Sequence, residues 1–266
     1  APDRKTVTLF YQDNLPASAR VRATFIGDSV VDELGQAVDA DGDGAAGGTA
    51  LIDFDTITLT TFPGTKVCGR VFASELAPGD SGMSVNVPLQ GVTITVDGQE
   101  DTLRTVSDVD GNFCLDPAPA GRFFAHVDGR TATNGVPPGA YYPYVGEAWE
   151  SIPGQTMNIG NTYLPLVSPG SLQPVSQTTD TTITFPQAIL DQFPQFQGVQ
   201  VTVPANALFA DDGTRGGMVG IAPVPPDRLP GQLPPGLEFP LVITVQTDGA
   251  TNFDVPVPAC FPNLPD

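Results

Sequence analysis

Long hydrophobic runs are missing from this chain: no stretch approaches the roughly 20 apolar residues of a membrane-crossing helix, and no basic, apolar leader opens it. Membrane insertion is therefore not expected, and the sequence reads as a mature soluble chain or a fragment. Imidazole and thiol are scarce too, with 1 His and 3 Cys in 266 residues. The usual zinc constellations, which need several such ligands at short spacing, are excluded. So is a disulfide-framed mini-protein, and the odd cysteine count leaves at least one thiol unpaired or paired between molecules. No Asn-x-Ser/Thr sequon occurs. That absence is unusual for a eukaryotic secreted chain and ordinary for a bacterial one, so a bacterial protein, secreted or at the cell surface, is the expectation.

Cationic side chains are also sparse: 11 Lys+Arg face 30 Asp+Glu, a formal net charge of −19, and Lys5 and Lys66 are the only lysines. Such a surface repels phosphate backbones and anionic lipid, so nucleic acid is not an expected partner. Its natural counter-ions are divalent cations.

Glycine and proline, by contrast, number 29 and 28, and hydrophobic residues make up 40% of the chain. The apolar residues fall in short Val/Ile/Thr/Phe runs between turn signals, which predicts an all-β fold class. The length suffices for two or three small domains with cores of their own. No fixed-period repeat is visible, so three unlike β modules in series are the simplest organisation. Residues 1–62 offer the alternating runs "KTVTLFY", "ARVRATF" and "ALIDFDTITLT". Residues 63–167 carry "TKVCGRVFAS", "LQGVTITVDG", "RTVSDVDGNFCLD" and "GRFFAHVDG", then an aromatic, Pro-rich stretch and "NTYLPLV". Residues 168–266 alternate through "TTITFP", "GVQVTVPANALF", "GMVGIAPV" and "LVITVQTDG", with Pro and Gly arguing for edge strands and bulges. Only "QAILDQF" suits a helical turn or two.

The stretch "VDADGDGAAGG" sets Asp39, Asp41 and Asp43 at ligand positions one, three and five of a calcium loop, with Gly44 at the sharp turn. An EF-hand would next need a bidentate Glu where Ala50 stands, and the flanks read as strands, so an EF-hand is excluded. Asp53 and Asp55 lie two apart on the following strand, hence on one face, where either can fold back to close a shorter loop. Structural Ca²⁺ and a solvated acidic turn are the two readings. Gly42, Gly44 and Gly47 also spell G-x-G-x-x-G, but a strand follows where a nucleotide loop needs a helix. In "DVDGNF" the Asp110-Gly111 pair suits a type I′ turn, with a second calcium site at Asp108 and Asp110 as the other reading.

Nucleophilic catalysis finds no support. "GDSG" at residues 79–82 imitates a serine-protease motif, but a triad needs a histidine to take the Ser81 proton. The single histidine, His126, lies downstream on the strand "FFAHVDG" and reads as a surface or hairpin residue. No acid pair stands out as poised for hydrolysis, so an enzyme is not expected.

In "VCGRV" the Val67, Gly69 and Val71 positions share one face and Cys68 takes the other; in "NFCLD" Phe113 and Leu115 share one face and Cys114 takes the other. If these strands are neighbours, Cys68 and Cys114 can form a disulfide; two separate thiols are the alternative. Tyr141, Tyr142, Tyr144 and Trp149 cluster in "YYPYVGEAW", either as a sugar-stacking or interface patch or as cover for a domain junction. The terminal run "KTVTLFY" sets Val7, Leu9 and Tyr11 on one face and Thr6, Thr8 and Phe10 on the other. It suits a strand that completes its own domain or adds to the sheet of another subunit.

"VCGRVFAS", "VPLQGVTITVDG" and "TVSDVDGNFCLDPAPAGRFFAHVDG", in that order, resemble the carboxypeptidase-regulatory-like domain, a transthyretin-like β-sandwich related to repeats of bacterial collagen adhesins. The match covers residues 66–129 and implies a spacer or stalk module without catalysis. Lys66 falls roughly where such repeats place the lysine of an intramolecular isopeptide bond; an ordinary surface lysine is the other reading. "LPASARVRATFIGDSVVDELGQAVDADGDG", within residues 5–61, resembles the Ig-like modules of bacterial surface-layer and adhesin proteins. "VTVPANALFADDGTRGGMVGIAPVPPDRLP" with "FDVPVPACFPN" is similar to a β-domain shared by zonula occludens proteins, ankyrins and netrin receptors. Some relatives of that domain cleave themselves at His-Phe-Ser, a triplet this chain lacks. Together these resemblances imply tandem Ig-like and transthyretin-like β-sandwich modules. They point to a non-enzymatic stalk, surface fibre or matrix component whose partners are copies of itself or neighbouring modules. A glycan- or protein-binding adhesin module is the alternative.

Overall fold

The computed structural model describes residues 15–79, 82–210, 212–231, 239–248 and 252–263. The "KTVTLFY" strand and Ser81 lie outside the described residues. Within them the regular structure is mostly strand, with one six-residue α-helix and three short 3-10 turns, and no helix is long and apolar enough to cross a membrane.

The chain begins with a two-stranded antiparallel ribbon, β1 (Arg20–Ile26) against β2 (Thr49–Asp55), in register from Arg20 opposite Asp55 to Ile26 opposite Thr49. Directly opposed residues share a face. One face therefore carries Val21, Ala23, Phe25, Ala50, Ile52 and Phe54, all apolar; the other carries Arg20, Arg22, Asp53 and Asp55 together with Thr24, Ile26, Thr49 and Leu51. None of the strand residues is buried, and Ile52 is 59% exposed. The apolar face thus has no core of its own among the described residues.

Eight strands follow: β3 (Lys66–Pro78), β4 (Ser84–Pro88), β5 (Thr93–Val96), β6 (Arg104–Val106), β7 (Asn112–Leu115), β8 (Arg122–Asp128), β9 (Tyr144–Glu150) and β10 (Thr156–Leu164). They form two four-stranded sheets. In one, β3 pairs with β10, β4 and β7; in the other the order is β6-β5-β8-β9. Period-two alternation sends Val67 and Val71 of β3, Ile94 and Val96 of β5, Phe113 and Leu115 of β7, and Phe123, Ala125 and Val127 of β8 into one shared core. Trp149 of β9 joins them: its ring stacks on Phe113 at 5.8 Å and meets the edge of Phe123 at 6.0 Å, bridging the two sheets. Gly69 makes room for this, since a Cβ there would stand 3.0 Å from the Phe113 ring and 2.8 Å from Ile159. Strand β10 runs parallel to β3, from Thr156 beside Lys66 to Leu164 beside Ala73.

The turn that leads into β7 departs from the type I′ expectation. Only Gly111 has a positive φ, at 77°, whereas type I′ demands one at Asp110 as well. The Asp108 carboxylate instead accepts from the Asp110 and Asn112 amides, and the Asp108 carbonyl accepts from Gly111 N–H. That side-chain turn removes the need for a left-handed Asp110.

The last third holds a second, separate core of Ile183, Phe185, Phe196, Val201, Val203, Leu208, Val219 and Ile221, among others. It is enclosed by three small sheets. They consist of β11 (Leu172–Val175), β15 (Gly217–Val224) and β16 (Val242–Asp248); of β12 (Thr181–Thr184), β13 (Gln200–Val203) and β18 (Ala259–Cys260); and of β14 (Leu208–Phe209) with β17 (Asn252–Phe253). Helix α1 (Gln187–Gln192) falls within the "QAILDQF" run.

Cys68 and Cys114 stand directly opposite one another on β3 and β7, outside the core, joined Sγ to Sγ; Cys260 is free and exposed. Denatured protein without reductant should therefore titrate one thiol, Cys260, and with reductant all three cysteines. Closing 46 residues of chain makes the cross-link worth about 4 kcal/mol by loop-closure entropy. The Cys68→Ser, Cys114→Ser double variant should lose an amount of that order in urea unfolding.

Candidate functional site

The acidic loop hangs between β1 and β2 and is tied down at its base. Gly27 N–H donates to the Gly48 carbonyl, Ala40 N–H to the Gly47 carbonyl, and Gly48 N–H to Asp28. Within the loop one Asp39 oxygen accepts from Gly42 N–H and the other from Gly44 N–H, while Asp43 accepts from Ala45 N–H. These turns gather Asp39, Asp41 and Asp43 so that one carboxylate oxygen of each lies within 4.8 Å of the others. Oxygens around one Ca²⁺, each 2.3–2.6 Å from it, lie at most about 5 Å apart, so the three donors fit a hard cation.

Asp53 and Asp55 do not close that loop. Cross-strand register sets Asp53 against Arg22 and Asp55 against Arg20, each as a two-point pair, with Nε–O distances of 2.6 and 3.0 Å. Asp55 also meets Arg122 of β8 at 2.6 Å, which links the ribbon to the next sheet. Hydrogen bonding to Arg22 and to Arg20 holds the two carboxyls below the usual carboxylate range. Both acids are therefore neutralised by guanidinium, and the expectation that either turns back to the loop is corrected. Lys66 is engaged in the same way, by an exposed ion pair to Asp116 at 2.5 Å.

The aromatic cluster is not one surface. Trp149 is 5% exposed and Tyr142 1%, both inside the core, whereas Tyr144 is exposed and Tyr141 half-buried. Alternation along β9 separates Trp149 from Tyr144: Val145, Glu147 and Trp149 face inward, opposite Val127, Ala125 and Phe123 of β8, and Tyr144 faces out, whereas Tyr142 is buried ahead of the strand. The four residues therefore do not form one stacking surface: Trp149 and Tyr142 belong to the core, while the Tyr142 hydroxyl meets Glu75 and Tyr141 bridges to Val167.

His126 lies on the outer face of β8, stacked on Tyr144 at 4.8 Å, with Nε2 3.0 Å from Asp97. Asp97, Glu100 and His126 bring three ligand-type atoms together, but Nδ1 of the ring is buried without a partner. A metal on Nε2 would place the ring proton on that orphaned Nδ1. Metal-bound histidines nearly always give this proton to an acceptor. The trio therefore fits a hydrogen bond from His126 Nε2 to Asp97 better than a metal centre.

Two half-buried acids escaped the reading of the sequence. Glu75 accepts from the Tyr142 hydroxyl at 2.5 Å, and Glu147 accepts from Trp149 Nε1 at 2.8 Å while its other oxygen is buried without a partner. Burial raises the pKa of both carboxyls, against the smaller lowering effect of those hydrogen bonds. For Glu147 a signal existed, because a charged residue stood at an inward position between Val145 and Trp149. For Glu75 the local pattern held none, since Phe72, Ala73 and Ser74 are buried in succession where the β3–β4 register shifts.

No protein-family model matches the chain, and no curated protein sequence matches it.

Trp149→Ala should cost about 3–5 kcal/mol of stability in urea unfolding, and Tyr144→Ala less than about 1 kcal/mol. A raised native pKa at Glu147 means the folded state holds its proton where the unfolded chain has lost it. Stability then falls as pH rises from the ordinary carboxylate value through the raised one. Glu147→Gln removes that part of the fall, so the variant should gain on the parent, by about 1 kcal/mol, at about pH 7 and not at about pH 4. Melting curves at the two pH values check this.

Proposed function

We propose that this chain is a non-enzymatic, extracellular structural building block of bacterial type, a stalk, surface-fibre or matrix subunit that joins copies of itself by strand donation. The observation that carries the reading is the β1–β2 ribbon. Six apolar residues share one of its faces, Ile52 among them at 59% exposure, and each strand has an edge unpaired within its sheet. A two-stranded ribbon is marginal alone and gains stability from a further strand or a covering layer. The occupant we assign is the "KTVTLFY" run of a neighbouring copy. An alternating strand of β-branched and aromatic residues suits edge addition, with main-chain hydrogen bonds for affinity and side-chain pockets for register.

In this reading the chain divides into modules at 1–62, 63–167 and 168–266. The first is an Ig-like sandwich completed in trans, the second a carboxypeptidase-regulatory-like sandwich, and the third the Pro-rich β module. The two separate cores support the second division. Ca²⁺ held by Asp39, Asp41 and Asp43 neutralises three mutually repelling carboxylates and stiffens the loop that joins the ribbon's strands. In this reading the chain is not an enzyme, which the pairing of Asp53 and Asp55 with arginine and of His126 with Asp97 supports without deciding.

Electron microscopy of the full chain, of a variant lacking residues 1–14 and of Ile52→Lys tests the proposal. Regular fibres are expected from the full chain in calcium and should shorten or vanish in chelator. Both variants should stay monodisperse, with the exposed Ile52→Lys change altering stability by no more than about 0.5 kcal/mol. Fibres that survive loss of residues 1–14 would refute strand donation. Single particles from the full chain under every condition would refute self-assembly.

A further inference from the structure

The two cores meet at a cleft of about 350 Å³, lined on one side by Glu75 of β3 and Leu166, and on the other by Ile189, Phe193, Phe196 and the Pro223–Pro226 run. Its walls are aromatic and aliphatic, with Gln192, Gln195 and Ser168 as neutral polar groups. Among the described residues Glu75 is the one charged residue in the lining, and none of them that lines it is basic. Arg228 is engaged at the edge of the cleft: its guanidinium donates to the carbonyl of the lining residue Ser74 and pairs with Asp227 at 3.8 Å, and it does not act on the Glu75 carboxyl.

We propose that this cleft binds a small organic monocation, an aromatic or alkyl ammonium, with the charge at Glu75 and the hydrocarbon part against Phe193 and Phe196. Charge complementarity selects the occupant. A carboxyl withdrawn from water, with a phenolic hydroxyl as its only side-chain partner, is left without a counter-charge, and an ammonium supplies both charge and donors. Phe193 and Phe196 meet edge to face at 6.5 Å, and their rings offer apolar surface to the hydrocarbon part of the ligand. The volume holds about ten water-sized groups, which suits a phenethylammonium-sized ligand and excludes a folded partner. Forces on the Glu75 carboxyl agree with an unmet charge: burial raises its pKa, and no cation acts to lower it. The chain's net charge of −19 attracts cations and opposes anions at long range. This inference does not depend on self-assembly.

Titration of the full chain with phenethylammonium at about pH 8, followed through the methyl resonances of Ile189, Leu166 and Val224, tests it. The isosteric neutral 2-phenylethanol and the anion 3-phenylpropionate serve as probes of charge. Phenethylammonium should shift those methyls and bind at least about tenfold more tightly than the alcohol, and the anion should not bind. Glu75→Gln keeps the volume and an acceptor for Tyr142; it should weaken the ammonium about tenfold and leave the alcohol unchanged. Phe193→Ala, at an exposed ring, should weaken the ammonium several-fold and serves equally if Glu75→Gln does not fold. Equal binding of alcohol and ammonium, indifference to both substitutions, or shifts confined to other methyls would overturn the assignment.

Discussion

One aromatic contact organises the central part of this molecule. Trp149 belongs to the edge strand of one sheet, yet its ring lies flat against Phe113 of the other and on edge to Phe123 beside it. Three large rings in one place fill the space between the sheets, where aliphatic side chains alone would leave gaps that cost stability. Gly69 follows from this, because the sheet must come close enough for Phe113 to pass. The half-buried carboxyl of Glu147 follows as well, since the indole N–H at the rim of the core needs an acceptor and finds it there.

Charge is distributed by a second constraint. Thirty acids with eleven bases leave most carboxylates without a cationic partner, and the few arginines are placed where strands must be joined. Arg20 and Arg22 hold the two strands of the ribbon across their polar face, and Arg122 ties the ribbon to β8 through Asp55. What remains is met locally: backbone amides cap Asp39, Asp43 and Asp108. Where burial leaves an acid without a cation, as at Glu75 beside the cleft and at the buried second oxygen of Glu147, its charge is unmet.

Much of this was legible at the level of strands. Period-two alternation marks Val67, Val71, Phe113, Leu115, Phe123 and Val127 as one inward set, and the same parity puts Cys68 and Cys114 on the outer face, where pairing only needed the strands to be neighbours. The local spacing of Asp39, Asp41 and Asp43 is enough to bring them together. What could not be read depends on register between distant strands. Asp53 and Asp55 meet arginines 31 and 35 residues away, and nothing in "ALIDFD" announces those partners. Trp149 stood in a run that looked like a surface patch because neighbours of both parities were aromatic; alternation separates Trp149 from Tyr144 on β9, but Tyr142 has the parity of Tyr144 and is buried ahead of the strand, which the local pattern does not announce. The type I′ reading of Asp110-Gly111 failed because it weighed the dipeptide and not the carboxylate two residues before it.

The parallel pairing of β10 with β3 has a mechanical meaning. These are the first and last strands of the central unit, and they lie side by side, so the chain enters the pair at Lys66 and leaves it from the far end at Leu164. Tension applied along the polypeptide pulls the two strands past each other lengthwise. Both runs of the ladder, on either side of the irregularity between Asn158 and Asn161, are then loaded in shear together, where a hairpin would unzip one bond at a time. The cross-link from Cys68 to Cys114 fixes β3 to a further strand beside it, so the clamp is anchored on its other flank as well. A unit connected in this way yields late when stretched and fails all at once, the response of a tether.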